Sequence, residues 1–220
     1  MSHYFSRVRL LPGLHQSPWL RELARQGEAY RDHALIWRLF PGDGLPRDFL
    51  FRRLDDARSY YIVSARPPLD TDGLFQIQTK PYAPALQTGE ALHFDLRANP
   101  VVSRRRPDGR VQRHDVLMDA KRSATPEQQA ALTQHLYQAG LDWLLKRAPH
   151  WGLHIDPDSV LQKAYVQHRL RRKGQTIEFS SLDYQGMGEV SDVDQLKTAL
   201  LSGVGHGKGF GCGLLLLKRV

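Results

Sequence analysis

Tyr30, His33 and Trp37 lie three and four residues apart within a helix-like stretch, residues 28–40. Side chains at these spacings share one face of a helix. Histidine changes its charge near neutral pH, so a Tyr and a His one turn apart can orient a hydroxyl group and move a proton. The spacing alone also allows a second interpretation, in which His33 is a partly buried structural histidine with an aromatic neighbour.

The second candidate for chemistry is the glycine loop, residues 203–213, in which six of eleven residues are glycine. Glycine accepts positive φ and lets a ligand lie close to the backbone, and the exposed amides of such a loop bind anions. The apolar run 214–217 predicts a fully buried strand that ties the loop to the core, which argues against the alternative of a flexible linker. Four residues of the loop are predicted to bind phosphate: Gly205, His206, Lys208 and Gly209.

The positive charge of the chain indicates a polyanionic partner. Lys and Arg total 31 against 23 Asp and Glu, a net charge of +8 at pH 7. Residues 103–114 hold five arginines around an Asp-Gly turn and predict an exposed basic hairpin or loop, although a solvated charge run is equally compatible with them. Residues 164–179 predict two strands around a basic tip. Four side chains there are predicted to contact a duplex: Arg169, Arg171, Arg172 and Lys173.

The cysteine and histidine patterns do not indicate a metal site. Cys212 is the single cysteine, which excludes an intramolecular disulfide and a thiolate cluster. His150 and His154 are four residues apart, but Pro149 precedes them and Gly152 separates them, so surface or structural roles are favoured. We therefore expect no metal and no other cofactor.

The N-terminal residues predict a cytoplasmic protein. Arg7 and Arg9 interrupt the first apolar run, unlike a signal peptide, and no apolar segment approaches the ~18 residues of a membrane span. No membrane partner is expected.

The order of predicted elements indicates an α+β fold. In the first half, a strand (4–11), helices from Pro18 and over 28–40, and strands at 48–54 and 59–65 give the beginning of a ferredoxin-like βαββαβ unit. Further strands are predicted at 75–80 and 91–97. In the second half, one helix from Pro126 to about 147, the strands around the basic tip, a helix at 192–202 and the terminal strand come close to the same order.

Four ordered motifs resemble one known family over nearly the full length of the chain. They are YRDH at 30–33 with WRLFP at 37–41, DFLF at 48–51, FDLRANP at 94–100, and the glycine motif at 203–215. The family is CasE, the endoribonuclease of the Cascade complex that processes CRISPR RNA. The resemblance implies two tandem ferredoxin-like domains with antiparallel sheets: 1–90 with the catalytic helix, and 91–220 with the basic hairpin and the glycine loop.

The resemblance also implies an activity and its site. His33 matches the family's catalytic histidine and Tyr30 its companion tyrosine, while Arg38 matches a basic side chain that some members use one turn further along. The position after the histidine, basic in some members, is Ala34 here. The resemblance implies metal-independent cleavage at the base of the CRISPR repeat RNA hairpin, with 2′,3′-cyclic phosphate and 5′-hydroxyl ends. It also implies that the protein retains the crRNA beside other Cascade subunits. Which of Tyr30 and His33 is the acid and which the base stays open.

Two other functions compete with this interpretation. A non-catalytic RNA-binding subunit of the same superfamily would keep the glycine loop without needing Tyr30 and His33. A basic DNA-binding regulator would need a helix-turn-helix, and the helices predicted between residues 18 and 40 lack a run of base-reading polar side chains.

Overall fold

The computed structural model describes residues 2–12, 18–42, 44–105, 107–172 and 175–220. Within them, the first part of the chain forms a four-stranded sheet with two helices on one face. Its elements are β1 (His3–Leu10), α1 (Pro18–Arg25), α2 (Glu28–Trp37), β2 (Phe49–Arg53), β3 (Ser59–Ser64) and β4 (Phe75–Tyr82). All neighbouring strands are antiparallel and follow the order β2-β3-β1-β4, which is the strand order of a ferredoxin-like unit.

The first sheet differs from a complete βαββαβ unit at one connection. Residues 65–74, between β3 and β4, form bends and extended chain instead of a helix. Pro67 and Pro68 lack the backbone N–H that a helix needs, which explains the missing second helix. α2 ends at Trp37, so the helix predicted over 28–40 is too long, and residues up to Phe40 form turns that bond three residues back.

The two faces of the first sheet bury different partners. On one face, Val8 and Ile62 are fully buried against Leu35 and other residues of α1 and α2, which form one core. On the other face, Leu50 packs against Leu214 of the second part of the chain. The first sheet is therefore sandwiched between its own helices and the second domain.

The second part of the chain forms a sheet in the order β11-β5-β10-β8, again a ferredoxin-like order, with β9 paired to β10 and a separate ribbon of β6 and β7. Its elements are β5 (Ala91–Ala98), β6 (Val101–Arg105), β7 (Val111–Asp115), α3 (Val116–Ser123), α4 (Pro126–Ala130), α5 (Leu132–Arg147), β8 (Leu153–Ile155), β9 (Leu161–Arg172), β10 (Gln175–Val190), α6 (Val193–Ser202) and β11 (Leu215–Arg219). The prediction of an α+β fold with two antiparallel ferredoxin-like sheets is confirmed. The predicted domain limit near residue 90 lies in the link between β4 and β5.

Two further local predictions are wrong, and one helix was missed. The helix expected from Pro126 to about 147 is two helices, because Ala131 (φ −116°, ψ 39°) interrupts it. α3 was not predicted, although the side chain of Asp115 caps it by accepting from the amide of Met118. β11 is an edge strand and is not fully buried: Leu215 is 1% exposed, but Leu216 and the residues after it are half-buried or exposed.

Candidate functional site

The aromatic face predicted for α2 is present. The rings of Tyr30 and His33 are 6.2 Å apart and those of His33 and Trp37 are 5.8 Å apart, measured between centroids. Leu35 and Ile36, on the other side of the helix, are 1% and 0% exposed and pack into the core. The apolar side of α2 therefore fixes the helix to the sheet and leaves the face with Tyr30 and His33 toward the glycine loop.

The glycine loop contacts His33 directly. Nδ1 of His33 lies 2.7 Å from the carbonyl oxygen of Gly209, and because a carbonyl can only accept, the ring carries its proton on Nδ1. Nε1 of Trp37 is 3.2 Å from the same nitrogen, but its N–H cannot donate to a nitrogen that already bears a proton. The shorter contact to Gly209 therefore favours the tautomer with its proton on Nδ1, in which Nε2 is the basic nitrogen.

The glycine loop is a closed, folded segment. The amide of Val204 donates to the carbonyl of Gly213 at 2.9 Å, and the amide of Gly213 donates to the carbonyl of Arg97 in β5 at 2.7 Å. Gly213 has φ 83°, and a Cβ on it would lie 2.4 Å from the oxygen of Val204, so only glycine fits there. The alternative of a flexible linker is wrong.

A row of aromatic rings extends from α2 across the glycine loop to the β9–β10 ribbon. Phe210 of the loop lies 5.3 Å from His33 and 5.2 Å from Phe179 of β10, which stacks on His168 of β9 at 4.5 Å. Burial lowers the pKa of His168, and the charges of Arg97 and then Arg53 lower it further. This ring is therefore neutral at pH 7. The row forms a continuous π surface that spans both domains.

A groove of about 880 Å³ opens beside this row. It lies between the β6–β7 ribbon, the β9–β10 ribbon and the glycine loop, and its lining includes Arg113, Arg169, His206 and Phe210. Burial and the positive charges of Arg113, Lys208 and Arg147, in that order, lower the pKa of His206. Oδ1 of Asn99, also in the lining, is buried without a hydrogen-bond partner among the described residues. The lining also includes the carboxylates of Asp115 and Glu178, so the groove is a polar site of mixed charge with a spare acceptor.

The structure places the remaining predicted residues in different settings. Arg38 lies over the ring of Trp19 at 4.9 Å and pairs with Asp72 at 2.8 Å. Nζ of Lys208 donates to the carbonyl of Ser202 at 2.8 Å, and a Cβ added to Gly205 would meet nothing within 4 Å.

The basic tip of the β9–β10 ribbon is partly described. Arg169 is exposed and pairs with Glu178 across the ribbon at 3.3 Å. Arg171 and Arg172 continue β9, but their side chains lie outside the described residues, and so does Lys173. In the β6–β7 ribbon, Arg104 pairs with Asp119 at 2.6 Å.

A buried carboxylate that sequence reasoning missed anchors the start of α2. Asp32, 6% exposed, accepts from the Tyr60 hydroxyl at 2.9 Å and from Arg31 at 3.0 Å, and Arg53 of β2 lies 3.4 Å away. Burial raises the pKa of the Asp32 carboxyl, while Arg53 and Arg31 oppose that effect. Arg53 also pairs with Glu28 at 2.8 Å. The network ties the turn that carries Tyr30 and His33 to β2 and β3.

A second buried network, also missed, joins the two domains. Arg52 of β2 is 6% exposed and bonds to Asp95 of β5, and its other terminal nitrogen lies 3.5 Å from Asp183 of β10. Asp183 accepts two further hydrogen bonds from Arg97, at 2.7 and 2.8 Å. These charges fix the first sheet, and so α2, relative to the strands that hold the glycine loop. The only sequence signal for this network is that Asp and Arg residues occur within predicted strands. That pattern does not show which residues pair with each other.

A family model described as "CRISPR associated protein" matches residues 3–219. The chain belongs to this family. It is 27% identical over 204 residues to the CRISPR system Cascade subunit CasE of Escherichia coli K12, covering 90% of this chain and 93% of that protein. It is 26% identical over 192 residues to the CRISPR-associated endoribonuclease Cse3 of Thermus thermophilus, covering 82% of this chain and 78% of that protein. The family resemblance found in the sequence is confirmed.

Solved structures share the fold. The endoribonuclease Cse3 bound to a 19-nucleotide RNA superposes with a TM-score of 0.70 at 22% identity, over 99% of this chain and all of that one. The Cas6e protein of Escherichia coli K-12 gives a TM-score of 0.63 at 23% identity, with 99% and 100% coverage. Among the described residues, no three His, Cys, Asp or Glu side chains form a group suited to a metal, and no helix is long and apolar enough to cross a membrane.

Proposed function

We propose that this protein is a metal-independent endoribonuclease that binds the stem-loop of CRISPR repeat RNA and cleaves at its base. It then keeps the mature guide RNA as a subunit of a Cascade complex. The observation that carries the proposal is the contact of His33 with Gly209, because it holds a histidine of defined tautomer beside an anion-binding loop. The names of the relatives, a Cascade subunit and an endoribonuclease, support it.

The reaction removes one proton from the attacking hydroxyl and donates another to the leaving oxygen. The 2′-hydroxyl next to the scissile phosphate loses its proton and attacks phosphorus in line, the bond to the 5′-oxygen breaks, and that oxygen leaves with a proton. The products are a 2′,3′-cyclic phosphate and a 5′-hydroxyl. Nε2 of His33 exchanges one of these protons, and Tyr30, one helical turn away, orients or assists the other end. Both reacting oxygens belong to the RNA, so positioned side chains can perform this route unaided.

RNA binding is divided among three surfaces. Unpaired bases at the foot of the hairpin stack on the ring row of Phe210 and Phe179, because aromatic faces accept any base. The strand backbone follows the groove past Arg113 and His206. The stem lies along the basic tip of the β9–β10 ribbon, where recognition depends on shape and phosphates. The residues assigned to RNA are Arg38, Arg169, Arg171, Arg172, Lys173, Gly205, His206, Lys208 and Gly209.

The test is incubation of a repeat-type hairpin RNA with the protein in EDTA, followed by analysis of the product ends. We expect cyclic phosphate and 5′-hydroxyl ends. For His33→Ala we expect a rate lower by roughly 10²- to 10⁴-fold with unchanged hairpin affinity, because general acid–base help of this size is lost while the binding surfaces stay. His154→Ala, an exposed histidine of β8, is the matched control and should cleave normally.

Three outcomes contradict the proposal. Cleavage by His33→Ala at the wild-type rate removes this residue from the chemistry. Tight RNA binding without any cleavage by the wild-type protein would favour the alternative function, a non-catalytic RNA-binding subunit. Duplex DNA that displaces the hairpin RNA at equal concentration restores the DNA-binding regulator.

A further inference from the structure

Arg47 is a partly buried cation without a counter-ion among the described residues. It lies between α2 and β2, and its Nη1 is buried and has no hydrogen-bond partner in the described part of the chain. Burial lowers the pKa of its guanidinium. Arg66, which belongs to the same region, shows the usual arrangement: it pairs with Asp48 at 2.7 Å and donates to a backbone carbonyl at 3.2 Å. A buried donor of this kind costs stability unless a ligand satisfies it.

Two observations relate Arg47 to the surroundings of His33. Phe49, two residues further along, packs edge-on against Trp37 at 5.1 Å, and Trp37 contacts the ring of His33. From the other side, burial and then the charge of Arg47 lower the pKa of Lys208, whose chain neighbour Gly209 binds His33. Two cations that repel each other thus lie near the part of the glycine loop that holds His33.

Lys208 has donors to spare. Its ammonium group carries three N–H bonds, and the carbonyl of Ser202 takes one of them at 2.8 Å. Like charges held together and partly desolvated destabilise the charged forms, and a bound anion reverses that effect. The pair therefore fits a phosphate that accepts from both side chains.

The cations on α2 itself do not serve this purpose. The position after His33 is Ala34, which has no charge. Arg31, within α2, pairs with Asp32 at 3.0 Å. Arg38, directly after the helix, is held by Asp72 at 2.8 Å and lies over Trp19, so both charges are already matched. Positive charge opposite the reacting phosphate must then come from another element.

We propose that Arg47 and Lys208 bind the non-bridging oxygens of the scissile phosphate and stabilise the negative charge that develops there during cleavage. This assignment rests on the proposed function above. As the bond from the 2′-oxygen to phosphorus forms and the bond to the 5′-oxygen breaks, the two non-bridging oxygens gain charge, and fixed donors beside them lower the barrier. No proton moves to or from Arg47, so its role is separate from the acid–base work of His33 and Tyr30.

The test compares Arg47→Gln with Arg47→Lys and with a control. We expect Arg47→Gln to lower the single-turnover cleavage rate at saturating RNA by about 10²- to 10³-fold, the usual loss for one such donor, with hairpin affinity changed by less than about threefold. Arg47→Lys should cleave at an intermediate rate, because lysine keeps the positive charge but lacks the paired N–H donors of the guanidinium. Arg25→Gln is the matched control, since Arg25 is an exposed arginine of the same domain, 78% exposed and paired with Glu22.

A second readout separates contact with the phosphate from a structural role. Sulfur in place of one non-bridging oxygen at the scissile phosphate should slow the wild-type protein for one stereoisomer, and this difference should shrink in Arg47→Gln. The melting temperature of RNA-free Arg47→Gln should equal or exceed that of the wild type, because the change removes an unmatched buried donor.

The two proposals fail in different ways. If the wild-type protein does not cut hairpin RNA, the proposed function is wrong and the assignment of Arg47 falls with it. If the wild type cuts and Arg47→Gln cuts equally fast, or keeps the full stereoisomer difference, only the assignment of Arg47 is wrong. A lower melting temperature of Arg47→Gln also overturns it, because Arg47 would then have a structural partner.

Discussion

The junction of α2 with the glycine loop and the tip of the β9–β10 ribbon are both rich in charge, but they are built differently. At the junction, Asp32 has three partners and is 6% exposed, and His33 is held by Gly209. At the ribbon, the side chain of Arg169 is 75% exposed with a single partner across the strands. Fixed geometry serves a chemical step, and exposed charges serve attraction of a polyanion. We therefore expect changes at the junction to reduce rate and changes at the ribbon to reduce affinity.

The strongest test of this division is a change in the loop that leaves every charge in place. In Gly213→Ala the new Cβ would lie 2.4 Å from the oxygen of Val204, so the loop must shift and move the Gly209 carbonyl from His33. A misplacement of about 1 Å costs roughly 10²-fold in rate. Single-turnover cleavage should fall by about that factor with RNA affinity preserved.

Gly73→Ala is the matched control for this change. Gly73, in the link between β3 and β4, also has positive φ (66°), so the backbone strain is comparable, but a Cβ there would meet nothing within 4 Å. If both variants lose the same rate, strain alone accounts for the effect and the Gly209 contact with His33 is not required.

The next largest effect is expected at the ribbon. Replacing Arg169, Arg171 and Arg172 together by Gln should weaken hairpin binding by about tenfold or more. It should also reduce the slope of log affinity against log salt by about 2 to 3, because each lost phosphate contact removes about 0.7 to 0.9. The cleavage rate at saturating RNA should stay the same. Titrations at several salt concentrations measure both quantities, and an unchanged slope would assign the ribbon another role.

The smallest effect concerns pH. Burial, followed by Arg97 and Arg53, lowers the pKa of His168 below its ordinary 6.5, while Glu28 opposes them. In acid, His168 therefore binds more protons in the unfolded chain than in the folded protein. The contribution of neutral His168 to the free energy of unfolding is fully present above about pH 6.5, and it is lost as the pH falls through the lower pKa of the folded state. His168→Gln should reduce this dependence by at most about 1.4 kcal/mol per pH unit, measured by urea unfolding from pH 7 to 5. An identical pH profile for the variant would contradict the prediction.

The sequence predicts local features of this site well. The shared face of Tyr30, His33 and Trp37 follows from helical spacing, and a glycine with positive φ, Gly27 (110°), lies between α1 and α2. The break at Ala131 could not be predicted in the same way, because neither glycine nor proline marks it. Local pattern therefore predicts which side chains share a face, but it does not determine every helix boundary.

Contacts between residues that are far apart in the sequence could not be predicted from sequence patterns. The bond between His33 and Gly209 joins residues 176 positions apart, and no periodicity relates them. Nη1 of Arg47, which has no hydrogen-bond partner within the described part of the chain, and Arg52, between Asp95 and Asp183, likewise depend on how two sheets pack. The family resemblance predicts the role of His33, and the structure gives its orientation.

The distance along the chain between His33 and Gly209 has a consequence during translation. A ribosome completes α2 early, yet the carbonyl that sets the tautomer of His33 is made 176 residues later. The buried charges around Arg52 likewise join strands from both domains. The proposed function therefore predicts that a chain ending before the glycine loop does not cleave RNA, because the Gly209 contact forms only after the second domain has been made and has docked.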